Sequence, residues 1–65
     1  MQQCSVYCVN TNKDVTADIL EHSDKRIKVA LVDTDMTIVL NRTDTRQPYI
    51  GFAYGLEFET FGELE

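Results

Sequence analysis

The sequence predicts an all-β protein, either a five-stranded SH3-like small barrel or a strongly bent antiparallel meander sheet. Three observations carry that expectation. Residues 25–42 alternate apolar and polar positions with period two and are dense in β-branched side chains. Five short apolar runs are separated by turn-forming clusters near residues 10–14, 23–24, 33–35 and 43–48. The chain has 65 residues, so one domain is expected over 1–65. A chain this short buries only about 60% of the surface its unfolded form exposes, and closing a sheet removes the edges a small β protein must protect.

In chain order, residues 4–9 (CSVYCV) form the first expected strand. Cys4 and Cys8 share a face there, roughly 13 Å apart. A disulfide needs Cα atoms within about 7 Å, so two buried thiols are expected. Residues 15–22 (VTADILEH) read as a second strand. A short helix capped by Asp14 is the alternative, but Val15, Thr16 and Ile19 lower helix propensity. The hairpin follows. Ile27, Val29 and Leu31 lie on one face, and Met36, Ile38 and Leu40 answer them beyond Asp33-Thr34-Asp35. A four-residue loop over 32–35 sets Leu31 opposite Met36. A two-residue loop at Thr34-Asp35 sets it opposite Ile38. The longer loop is preferred, because neither Thr34 nor Asp35 suits a primed turn.

Residues 49–61 (YIGFAYGLEFETF) read as one long final strand. Ile50, Phe52, Tyr54, Leu56 and Phe58 make its apolar stripe, with Gly51, Ala53, Gly55, Glu57 and Glu59 opposite. The glycines read as points where a long strand coils between sheets or another backbone comes close. The expected core is Val6, Ile19, Ile27, Val29, Leu31, Ile38, Leu40, Ile50, Phe52, Tyr54, Leu56 and Phe58. Residues 62–65 are expected to fray.

The stretch from Asp33 to Leu40 is similar to the D-x-x-M-N-x-x-L signature of the Sm-like RNA-binding barrels, matching at Asp33, Met36 and Leu40. Thr37 stands where that family has an RNA-contacting asparagine, and the family's glycine-bearing second signature is absent. The resemblance therefore implies a small-barrel hairpin and does not extend to membership.

Charge is distributed unevenly. The net charge is −5, which disfavours general binding to nucleic acid or anionic membranes. Lys25, Arg26, Lys28, Arg42 and Arg46 leave residues 25–46 mildly basic against Asp33, Asp35 and Asp44; the remainder is strongly acidic. No apolar run approaches a membrane span, and no secretory leader is expected after Met1-Gln2-Gln3, so the cytoplasm is the expected compartment.

Enzymatic chemistry is not expected. The chain has one histidine, His22, and two cysteines. A Cys4/Cys8/His22 zinc site is a ligand short. Asp33-Thr34-Asp35 lacks the oxygen ligands and glycine of a calcium loop. Asn41-Arg42-Thr43 matches an N-glycosylation acceptor, which has meaning only in a secreted protein. No phosphate-binding glycine loop or G-x-S-x-G is present, and no cofactor is expected.

The functional expectation is a non-catalytic protein-protein interaction module, a small acidic accessory or regulatory protein. Glu57, Glu59, Phe61 and Glu63 are the expected protein-binding residues, facing a partner with a basic surface, including one whose nucleic-acid groove an acidic chain can occupy. The alternative is a small β-barrel that binds nucleic acid through its basic hairpin. Arg26, Lys28, Arg42 and Arg46 then contact phosphates and Tyr49 stacks on a base.

Overall fold

The computed structural model describes residues 2–34 and 36–62. They form a closed antiparallel barrel of six strands in meander order: β1 (Gln3–Cys8), β2 (Lys13–His22), β3 (Arg26–Leu31), β4 (Thr37–Asn41), β5 (Tyr49–Ala53) and β6 (Leu56–Thr60). β6 returns to pair with β1 through Tyr7↔Glu59 and Cys8↔Phe58, which closes the ring.

The all-β small barrel matches the sequence expectation, and so does the strand over residues 15–22. That segment belongs to β2, and its Val15, Ala17 and Ile19 turn toward the core while Leu20 bulges out between Ile19 and Glu21. The bulge adds one residue against β3 and tightens the local twist. The β3–β4 hairpin has the register of the four-residue loop. Val29 lies opposite Ile38 and Ile27 opposite Leu40, and the Leu31 amide donates to the Met36 carbonyl at 2.9 Å. Thr34 Oγ1 accepts from the Met36 amide at 3.2 Å, the local bond that makes threonine a turn residue here. Asp35 lies outside the described residues.

The strand count is six because residues 49–61 are two strands, not one. Tyr54 (φ 55°) and Gly55 (φ 75°) are the central pair of a tight hairpin turn. Both have left-handed backbones, as a primed two-residue turn requires. A two-residue turn changes parity. Inward positions are Tyr49, Gly51 and Ala53 before it and Leu56, Phe58 and Thr60 after it. The expected stripe therefore breaks. Leu56 and Phe58 turn inward, whereas Ile50, Phe52 and Tyr54 are 39%, 75% and 63% exposed. Ile50, Phe52 and Tyr54 do not belong to the core, and Tyr49 does.

The interior explains that choice. Cys4, Val6, Cys8, Ala17, Ile27, Val29, Leu31, Ile38, Leu40, Tyr49 and Phe58 fill it. At Gly51 the β4 backbone comes so close that a Cβ would strike the Val39 carbonyl oxygen and crowd Leu40. Only glycine fits that inward position, and the large neighbours Ile50 and Phe52 must point out. Cys4 and Cys8 are buried thiols on one face of β1 with no disulfide between them.

The end of the barrel near the β2–β3 and β4–β5 connections is sealed by Tyr49. Its hydroxyl donates to the Ser23 carbonyl at 2.6 Å and lies 3.1 Å from His22 Nε2. The phenol's one proton goes to Ser23, so Nε2 carries the proton in the His22 bond. Arg42 covers the ring at 4.1 Å and donates through Nε to the Asp24 carbonyl. Among the described residues, no helix is long and apolar enough to cross a membrane.

Candidate protein-interaction face

The outer face is built by the alternate residues of each strand, and the register places them in rows. One row runs Arg26, Asn41, Ile50, Glu59, Tyr7 across β3, β4, β5, β6 and β1. Along β5 and β6 the next outward pair is Phe52 opposite Glu57. An exposed apolar column on β5 thus stands directly beside an acidic column on β6, about 4.8 Å away. Phe61 follows Glu59 at the end of β6 and is 62% exposed. Tyr54 stands at the hairpin tip.

The acidic column is held from the neighbouring strand. The Val9 amide donates to the Glu57 carbonyl at 3.0 Å, and the Glu57 amide donates to Asn10 Oδ1 at 2.7 Å. Both backbone groups of Glu57 are thereby fixed by the β1–β2 turn. At the far end of β6, buried Thr60 donates its hydroxyl to the Ser5 carbonyl at 2.8 Å and accepts from the Gly62 amide at 3.1 Å. Tyr7, in the row with Glu59, is oriented by a hydrogen bond from its hydroxyl to Asn12 Oδ1. Among the described residues the ion pair is Arg46 with Asp44 at 3.3 Å, and none of those residues forms an ion pair with Glu57 or Glu59.

Of the four residues expected to bind protein, Glu57, Glu59 and Phe61 come together on this face. Glu63 lies outside the described residues. Sequence reasoning missed Ile50 and Phe52 as surface residues. The signal that marks them is the Tyr54-Gly55 turn, whose glycine is the hairpin cue.

The basic set divides. Arg26 and Lys28 both face outward on β3, with Lys28 opposite Glu21 of β2. The register sets these two opposite charges side by side on neighbouring strands. Arg42 is engaged with Asp24 and with the Tyr49 ring. Tyr49 is fully buried and offers no ring face to a base. Arg46 is highly exposed but bonded to Asp44, whose carboxylate also accepts from the Arg46 amide at 2.8 Å. These bonds from the Arg46 amide and guanidinium hold the Asp44 carboxyl below its ordinary value.

At the opposite end of the barrel from Tyr49, the Cys8 thiol is drawn below its ordinary value. The Thr11 side chain is the main cause, acting against the burial that raises it. Among the described residues, no group of three or more His, Cys, Asp or Glu is arranged to hold a metal ion.

No family model, no curated protein and no solved structure matches this chain.

Proposed function

We propose that this chain is a non-catalytic protein-interaction module, a small acidic accessory or regulatory protein acting in the cytoplasm on a partner with a basic surface. The observation that carries the reading is the register Phe52↔Glu57 and Ile50↔Glu59 on the outside of the barrel. A small barrel gains by burying large apolar side chains, about 1.5–3 kcal/mol for each one fully covered. Here Phe52 is left 75% exposed. Exposed apolar groups rimmed by carboxylates suit docking against apolar groups set among lysine or arginine.

The test is site-directed photo-cross-linking in the producing cell. Phe52→p-benzoylphenylalanine is compared with the same substitution at Glu21, on the exposed part of β2. The expected result is one cross-linked protein from position 52 alone, of basic isoelectric point, lost when Glu57→Gln and Glu59→Gln are combined. Equal cross-linking from both positions, or indifference to the double substitution, overturns the reading.

A second reading, nucleic-acid binding, rests on Arg26 and Lys28 sharing the outer side of β3. It predicts salt-sensitive binding of oligonucleotides that weakens with Lys28→Ala. A flat low-salt titration removes it.

A further inference from the structure

We propose that what docks on the β5–β6 face is a basic amphipathic helix of the partner protein. The inference deepens the interaction reading above and rests on it. The first argument is topological. β5 is paired to β4 and β6, and β6 is paired to β5 and β1. A strand added from a partner needs a free edge for its backbone, and β5 and β6 each already have a strand of the ring on both sides. A helix satisfies its own backbone and needs only an apolar stripe to lie on a sheet face.

The second argument is spacing. Ile50 and Phe52 stand two residues apart on one strand, about 6.8 Å. Residues i and i+4 of a helix rise about 6 Å. A helix laid along β5 therefore meets both side chains with one apolar row. Its adjoining flank then lies over Glu57 and Glu59, one strand spacing to the side, where lysine or arginine finds carboxylates without an ion pair among the described residues. Tyr54 extends the apolar column toward the hairpin tip.

The third argument is orientation. Beyond β4 the row ends on basic Arg26, with Lys28 next along β3. A basic helix is repelled from lying across β4 and is held along β5 and β6. A second copy of this chain is a poor occupant, because its described residues form six strands and no helix.

The test uses isotope-labelled full-length protein and three peptides of about 18 residues, five helical turns. The first has leucine at i, i+4 spacing with lysine on one flank. The second has the same composition in strict alternation. The third is the first with a central proline. Amide shifts and circular dichroism are read together. The amphipathic peptide is expected to shift Ile50, Phe52, Glu57 and Glu59 and to gain helicity on binding. The proline peptide is expected to bind about a hundredfold more weakly, the scale of a broken helix interior.

Phe52→Ala and the combined Glu57→Gln, Glu59→Gln each weaken the amphipathic peptide. Equal binding of all three peptides at these amides overturns the helix and leaves the interaction reading standing. Tighter binding of the alternating peptide at the same amides does likewise, in favour of an extended partner. Concentration-dependent broadening of these amides without peptide also overturns the helix, in favour of a second copy. No shift at these amides with any peptide overturns both.

Discussion

Tyr54 is an exposed aromatic residue with a left-handed backbone at a hairpin tip. Outside glycine, such a backbone costs on the order of 1 kcal/mol or more and is usually borne by Asn or Asp. The residue is 63% exposed, so little burial repays it for that cost. Tyr54→Asn places the preferred residue before Gly55 and is expected to raise stability by about 1 kcal/mol in urea unfolding. The same substitution is expected to weaken partner binding. Gly51→Ala acts in the opposite sense: its methyl group meets the Val39 carbonyl oxygen, and a loss of about 1–3 kcal/mol is expected. Asp44 supplies a pH signature. Its carboxyl is held low in the folded chain by Arg46. The stability this contributes is fully present above the ordinary carboxylate value and is lost as pH falls through the lowered one. Solvent exposure keeps the effect small. Asp44→Asn is expected to flatten the acid limb of a pH–stability curve and to leave the neutral region nearly unchanged.

At the scale of elements, the β3–β4 and β5–β6 hairpins differ in how openly the sequence displays them. The β3–β4 hairpin was legible to its register, because alternation on both arms and a loop of even length admit few pairings. The β5–β6 hairpin was hidden by its own regularity. Apolar residues continue at every second position through the turn, so the segment imitates one strand. Hydrophobicity alone favours burying Ile50 and Phe52 over Gly51 and Ala53. The packing of the β4 backbone against Gly51 reverses that preference, and a contact between strands cannot be seen in either strand's pattern. For the same reason Glu57, Glu59 and Phe61 were found as an acidic tail, while their apolar neighbours on β5 were not. Tyr49, a surface ring in the nucleic-acid reading of the sequence, is fully buried. Its burial depends on His22 at the end of β2, Ser23 just after it and Arg42 just after β4, which the fold brings together. Tyr49→Phe removes the phenol hydroxyl and leaves the Ser23 carbonyl and His22 without that partner. A loss of about 1–2 kcal/mol is expected in thermal unfolding, with the barrel retained.

For the whole molecule, the closed ring converts a charge pattern along the chain into one around an axis. The outward basic residues of β3 and the outward glutamates of β6 are three strands apart, on opposite sides of the barrel. Beside β3, β2 carries Asp18 and Glu21, so the basic strand stands within a surface that is acidic overall, with a net charge of −5. For the basic partner proposed above, the expected outcome is an association rate that falls as salt rises. The join between β1 and β6 has a further consequence. It links the two ends of the strand sequence, so the ring closes only after almost the entire chain has been gathered. Glu59 and Tyr7 face each other across that join. The partner proposed for this face is expected to bind the closed state and not the open one, and so to draw the folding equilibrium toward closure. Recognition and folding thus share one thermodynamic cycle: tight binding should protect the β1 and β6 amides from hydrogen exchange more than those of the local β3–β4 hairpin.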